Sequence, residues 1–211
     1  MSTSPPKKIL ITGASGYVGQ HLTASIGFLG LKDNDNNKGR RYQLYCTYHS
    51  LDTYEDDLKL IFDENQRLLH PSIVSITPIQ INFSDTTTSS KDTYVQKIRQ
   101  FCGTDGIDAI VHLGALSNQK YCEEHPKEAW SVNCPIGLLE LDAPIIYLST
   151  DEVYEGNKKC FYKEEFDDTI PINVYARTKV YFYRSPRQYL GAIYYDILPC
   201  KPFSLYGPVM E

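Results

Sequence analysis

The chain contains no apolar run approaching the roughly 18–20 residues that a membrane-spanning helix needs, so no transmembrane segment is expected. No secretory signal is visible. Met1 to Lys8 is rich in Ser and Pro, and the apolar stretch behind it is only a few residues long. The six cysteines (Cys46, Cys102, Cys122, Cys134, Cys160, Cys200) include no C-x-x-C pair, which excludes the usual redox and zinc-thiolate spacings and points to reduced thiols. None of the five histidines stands in an H-E-x-x-H arrangement, and no metal site is expected. A basic excess is missing too. The net charge of −5 argues against nucleic-acid or anionic-membrane partners, both of which reward a positive surface. Internal repeats and an inner domain boundary are likewise absent. What remains is a cytoplasmic protein of ordinary globular balance, 42% hydrophobic and 22% charged. Residues 1–7 are expected to be disordered and 8–211 to form one domain, long enough for a substantial core.

What is there is alternation. Lys8–Thr12 reads as a buried strand, Tyr17–Leu29 as a helix and Gln43–Tyr48 as a second strand. Lys32–Arg41 (KDNDNNKGRR) is a polar surface insertion. A helix over Tyr54–Leu69, a strand over Ile73–Ile81 and a helix over Asp92–Cys102 follow, with a Ser/Thr-rich loop over Ser84–Ser90. Then come a strand at Ile107–Leu113, a helix over Glu123–Asn133, a strand at Pro144–Ser149, a helix from Val174 to about Tyr183 and a last strand at Ala192–Leu198. Strands alternating with helices build a doubly wound parallel sheet, an α/β fold of the Rossmann type.

The segment Thr12-Gly13-Ala14-Ser15-Gly16-Tyr17-Val18-Gly19 follows a strand and opens a helix. Gly13 permits a tight turn, Gly16 a close approach of a pyrophosphate, and Gly19 close packing of helix on strand. The free amides and the positive end of the helix dipole then receive phosphate. The second strand runs out as Cys46-Thr47-Tyr48-His49-Ser50, with no carboxylate before Asp52. An acidic residue there grips the ribose 2′-hydroxyl of NAD. Its absence, with His49 and Ser50 as hydrogen-bond donors, favours NADP(H) over NAD(H), although both residues also fit a plain loop that admits either cofactor. Leu113-Gly114-Ala115, after the fourth strand, is placed to line the nicotinamide half.

Tyr175-Ala176-Arg177-Thr178-Lys179 puts Tyr175 and Lys179 on one helical face, where the ammonium would lower the phenol pKa. A phenol so tuned exchanges a proton with a carbonyl or alcohol during hydride transfer. Ser149-Thr150-Asp151-Glu152 lies at the ligand-binding end of a strand. There Thr150 would hydrogen-bond the substrate oxygen, Ser149 would line the cofactor, and Asp151 and Glu152 are either acids or capping carboxylates.

TGASGYVG, HLGA, STDEVYEG, YARTK and LYGP, in this order, resemble the extended short-chain dehydrogenase/reductases. The similarity is greatest to the dTDP-4-dehydrorhamnose reductase branch, which includes the regulatory β-subunit of methionine adenosyltransferase. Ala115–Glu128 with Trp130–Asn133, Phe161–Glu165 and Pro171–Tyr175 are similar to that branch too. The resemblance implies a Thr150/Tyr175/Lys179 catalytic set and reduction of a nucleotide-sugar-like carbonyl, with hydride from the nicotinamide and a proton from Tyr175. It also implies two alternatives: a cofactor-holding partner of the methionine adenosyltransferase catalytic subunit or a truncated pseudoenzyme, and, from STDEVY, a nucleotide-sugar 4,6-dehydratase in which Asp151 and Glu152 act in water elimination.

Three features depart from the branch. The sequence ends just past LYGP, where relatives continue into a substrate-binding lobe, so that lobe is expected to be missing. The stretch Pro135–Leu141 allows only a short helix. Pro186 should end the Tyr/Lys helix near Ser185, because proline inside a helix costs about 3 kcal/mol.

Overall fold

The computed structural model describes residues 4–31, 39–50, 56, 58, 69–84, 90–103, 106–154, 156, 169–184 and 194–196. Six strands form one sheet: β1 Lys7–Thr12, β2 Tyr42–Tyr48, β3 Ile73–Gln80, β4 Ala109–His112, β5 Ile145–Tyr147 and β6 Tyr194–Asp196. Their order is β3-β2-β1-β4-β5-β6 and every pairing is parallel. The chain therefore winds outward from β1 in one direction, then returns and winds outward from β4 in the other. Ligands of such sheets bind in the crevice where the order reverses, at the carboxyl ends of β1 and β4.

Both sheet faces are covered, which is why the strands read as near-continuous apolar runs. Side chains alternate along β1. Leu10 joins Ile79, Ile98, Ile110, Ile145 and Phe182 on one face. Ile9 and Ile11 join Leu44, Cys46, Ile26 and Ile73 on the other. The helices are α1 Tyr17–Leu29, α2 Ser90–Cys102, α3 Gln119–Glu124, α4 Pro126–Asn133 and α5 Val174–Arg184. Two 3-10 turns, Ile136–Leu141 and Asp151–Val153, bracket β5. The first is held against α2 by the Gly137 amide, which donates to the Tyr94 hydroxyl at 2.9 Å.

Among the described residues α1 has the expected bounds, and several other expected elements are present with shifted ends. β1 begins at Lys7, inside the segment expected to be disordered, because the Lys7 amide donates to Arg41 O and its ammonium pairs with Asp108. The single helix expected over Glu123–Asn133 is two helices that meet at His125 (φ −127°, ψ 58°). Pro126 explains the break, since proline holds the residue before it out of helical geometry and is itself suited to a first helical turn. The short helix allowed before β5 is a 3-10 turn; α5 is described over Val174–Arg184, and Ser185 and Pro186, where it was expected to end, lie outside the described residues. Most of the helix expected over Tyr54–Leu69, most of the Lys32–Arg41 insertion, the Ser84–Ser90 loop between 85 and 89, and Phe161–Glu165 lie outside the described residues; Asp56 and Leu58 are helical. Among the described residues Cys46, Cys102, Cys122 and Cys134 are buried free thiols, and no helix is long and apolar enough to cross a membrane.

Candidate active site

The loop at the end of β1 is fixed by backbone contact. Gly13 has φ +67°, and a Cβ there would lie 2.6 Å from both the Cα and the N of Gly114. The two loops at the reversal point thus touch main chain to main chain. A Cβ on Gly19 would lie 2.6 Å from Ala14 Cα and closer still to the Gly13 carbonyl oxygen. From β2, Thr47 accepts the Ala14 amide on its carbonyl (2.8 Å) and the Gly13 amide on its hydroxyl (3.2 Å). Gly16, extended at φ −73° and ψ 166°, opens α1 with no side-chain cap and no acidic residue in the first turn. The first-turn amides of α1 therefore face outward with no carboxylate to compete for them, the arrangement that receives an anion. Ser15 is half-buried beside them, while Tyr17 and Val18 are exposed.

His49 and Ser50 are exposed at the end of β2, where Gln80 Nε2 donates to the His49 carbonyl at 3.2 Å. Asp52 lies outside the described residues. Leu113 continues the β1–β4 junction by donating its amide to Thr12 O at 3.1 Å. Gly114 is half-buried and Ala115 exposed.

The second half of the site is carried by α5 and the loop behind β5. Asn173 caps α5 by accepting the Ala176 amide at 2.7 Å, the spacing of an N-cap side chain. Glu123 of α3 accepts the Val174 amide at 2.7 Å, placing a favourable acid at the helix N-terminus. The next residue is Tyr175, buried among Cys122, Ala129, Val174 and Leu116. Burial pushes its phenol up, a hydrogen bond with Thr150 opposes this, and Glu152, Cys122 and Asp151 raise it further. Ser149 and Thr150 are half-buried. Lys179, 3% exposed, donates to the Leu148 carbonyl at 3.0 Å and stands 4.7 Å from the Tyr147 ring centre and 5.8 Å from that of Tyr175. Burial pulls its ammonium down to about 8.

One sequence expectation is corrected here. Lys179 shares the face of Tyr175 yet does not lower its phenol pKa in this structure; desolvation dominates and the phenol is raised. The ammonium is turned toward Leu148 O and the Tyr147 ring, which explains its weak hold on Tyr175.

The sequence profile described as "NAD dependent epimerase/dehydratase family" matches residues 9–211. The chain belongs to that family. UDP-glucuronate 4-epimerase 4 of Arabidopsis thaliana is 26% identical over 220 residues, covering 98% of this chain and 44% of that protein. The dTDP-4-dehydrorhamnose reductase of Sinorhizobium fredii is 40% identical over 79 residues, covering 35% of this chain and 26% of that protein. Among solved structures, a UDP-glucose 4-epimerase superposes with a TM-score of 0.62 at 20% identity, over 91% of this chain and 51% of the other. The Bacillus anthracis dTDP-4-dehydrorhamnose reductase, solved with NADP, superposes with a TM-score of 0.54 at 20% identity, over 93% and 54%. At this identity the likeness establishes the shared fold. The chain spans about half the length of the curated relatives it matches.

This epimerase/dehydratase family member also uses polar residues that sequence reasoning assigned no role. Asn133, fully buried, accepts the Leu116 amide (2.6 Å) and donates to Leu116 O and to the Thr178 hydroxyl (3.1 Å each). Thr178 in turn donates to Tyr175 O at 2.6 Å. One buried amide thereby ties the loop after Gly114 to the tyrosine helix. His112, also fully buried, sits 2.5 Å from the Thr12 hydroxyl through Nδ1 and stacks on Tyr147 at 5.6 Å and 8°. Burial and the nearby Lys179 push it down to about 3, so it is neutral, and its Nε2 has no hydrogen-bond partner among the described residues. Asn173 could have been found from its cap spacing before the Y-A-R-T-K helix. His112 and Asn133 carry no such local signal, because the partner of His112 is 100 residues away and those of Asn133 are 17 and 45 residues away. Asp151 is exposed, and among the described residues its carboxylate accepts only a long 3.4 Å bond from the Thr150 hydroxyl. Among the described residues no cluster of His, Cys, Asp or Glu is arranged to hold a metal ion.

Proposed function

We propose that this chain holds NADP(H) in preference to NAD(H) and belongs to a reductase of a nucleotide-sugar-like carbonyl compound, similar to dTDP-4-dehydrorhamnose reductase. The observation that carries this reading is Tyr175 one helical turn before buried Lys179, whose ammonium is 5.8 Å from the Tyr175 ring centre, on a helix bonded through Thr178 and Asn133 to the loop that abuts Gly13. The dinucleotide fits the chain's own geometry. Gly13 and Gly19 have no room for a Cβ, and the opening turn of α1 has no cap and no acid to repel a diphosphate. Ser15, Gly16, Tyr17 and Val18 would hold that diphosphate. His49 and Ser50 would meet a 2′-phosphate, and Leu113, Gly114, Ala115 and Ser149 would border the nicotinamide.

Bound nicotinamide supplies a hydride. Everything else falls to side chains. Thr150 orients the substrate oxygen by a hydrogen bond, and Tyr175 donates its phenolic proton to that oxygen as negative charge develops on it. The raised phenol pKa keeps the proton in place until then. Lys179, held against the Leu148 carbonyl, would border the bound cofactor beside Tyr175. The Sinorhizobium fredii reductase and the NADP complex of the Bacillus anthracis reductase support this reading.

A 4-epimerase acting on a UDP-sugar is the second reading, favoured by a relative that covers 98% of this chain. A Brucella ovis UDP-glucose 4-epimerase was solved with NAD. The same three side chains serve it, with the hydride returned rather than consumed. The purified protein with NADPH and a 4-keto nucleotide sugar is expected to consume nicotinamide absorbance, and Tyr175→Phe to slow this by about 10²–10⁴-fold, the usual worth of a positioned acid. Epimerisation of a UDP-sugar with no net loss of reduced cofactor would replace the first reading by the second. Cofactor binding without either reaction, together with co-purification with a methionine adenosyltransferase catalytic subunit, would replace both with the regulatory-subunit reading.

A further inference from the structure

Glu152 has both carboxylate oxygens engaged. Gln119, the first residue of α3, donates its amide to Oε1 at 2.6 Å. Asn173 donates its amide to Oε2 at 2.9 Å. The Glu152 backbone amide points to the Thr150 hydroxyl at 3.4 Å. Asn173 is not free to turn away, because its own Oδ1 holds the Ala176 amide. One carboxylate therefore joins three separate segments around Tyr175: the turn behind β5, the start of α3 and the cap of α5.

We propose that Glu152 is a positioning residue whose carboxylate clamps these three segments together and thereby holds Tyr175 against Thr150. The proposal rests on the reductase reading for its catalytic consequence, and not for its structural one. Hydrogen bonds to an ionised carboxylate are roughly twice as strong as neutral ones, and leaving a half-buried amide unpaired carries a desolvation penalty. Losing the clamp frees the Asn173 side chain, loosens the cap and lets Tyr175 drift from the hydroxyl beside it.

Two substitutions separate clamp from acid. Glu152→Ala removes both bonds. Glu152→Gln keeps them: its carbonyl accepts from Asn173, and its amide donates to Gln119, which lies at the exposed start of α3 and can rotate its own carbonyl inward. Hydrogen exchange of the Ala176 and Arg177 amides, both bonded to Asn173, reads the cap directly. Glu152→Ala is expected to speed their exchange by about tenfold, with Glu152→Gln close to the parent, the size expected for losing a bond to a charged group. In the reductase assay Glu152→Ala should lower kcat by a similar factor while the Kd for NADPH stays within about twofold, and Glu152→Gln should restore kcat. Unchanged exchange in Glu152→Ala overturns the clamp. Equal loss of kcat in both variants, with exchange normal in Glu152→Gln, overturns it in favour of an acid. If the parent protein turns over no carbonyl substrate, the reductase reading fails, and the exchange result alone decides the clamp.

Discussion

Replacing Gly19 by alanine tests the packing of the phosphate loop through the sign of its effect. Glycine in a helix is ordinarily inferior to alanine by up to about 1 kcal/mol, so an unobstructed Gly→Ala change within α1 should stabilise the protein. Gly19 is buried, and its added methyl would enter the space of the Gly13 carbonyl and lie 2.6 Å from Ala14 Cα. Both neighbours are backbone, so relief requires α1 to move off β1. Overpacking of this kind costs about 1–3 kcal/mol, which outweighs the helical gain. The expected net loss is roughly 1–2 kcal/mol, or a Tm lower by about 2–8 °C for a chain of this size. Gly114→Ala is the control. It faces Gly13 across the same contact, yet its own Cβ would meet nothing nearer than 3.6 Å, so its effect should stay within about 0.5 kcal/mol. Urea unfolding at constant m-value measures both changes. Displacement of the helix start should also weaken NADPH binding in Gly19→Ala by about tenfold, the equivalent of one bond to a charged group. A Gly19→Ala protein as stable as the parent, with unchanged affinity, would refute the account of the loop.

Three further outcomes are expected. The pKa of Lys179 is pulled from near 10.5 to about 8, so the unfolded chain binds more protons between those values and stability should rise with pH across that window. Lys179→Met should remove that rise, about 2 kcal/mol between the two pH values, in paired unfolding curves at pH 8 and pH 10. Asn133→Ala strips partners from Leu116 and Thr178 in a fully buried place and should destabilise by about 1–3 kcal/mol in chemical denaturation. Changing His49 and Ser50 together to alanine should narrow the preference for NADPH over NADH without altering NADH affinity; equal losses for both cofactors would contradict the assignment of a 2′-phosphate contact.

Much of this architecture was legible in the sequence because it is written locally. The T-G-A-S-G-Y-V-G loop announces itself through glycines whose spacing the backbone contacts at 13 and 19 now explain, and α1 begins and ends where its pattern says. Tyr175 and Lys179 were found because four residues is one helical turn. What escaped was non-local. The bonds of His112 to Thr12, of Asn133 to Leu116 and Thr178, and of Glu152 to Gln119 and Asn173 join segments far apart in sequence, and no periodicity records them. The effect of Lys179 on Tyr175 was misjudged for a related reason. Helical spacing places two side chains on one face, but burial and the competing Leu148 carbonyl decide where the ammonium points.

The central claim is that one crevice, between the ends of β1 and β4, brings a dinucleotide to Tyr175. Titrating isotope-labelled protein with NADPH and following backbone amide resonances tests it most directly. The account expects saturable shifts concentrated at Ser15 to Gly19, at Gly114 and Ala115, and at Thr150 and Tyr175. Saturable shifts that spare the Ser15–Gly19 amides, or no shifts at all in a well-folded sample, would contradict it.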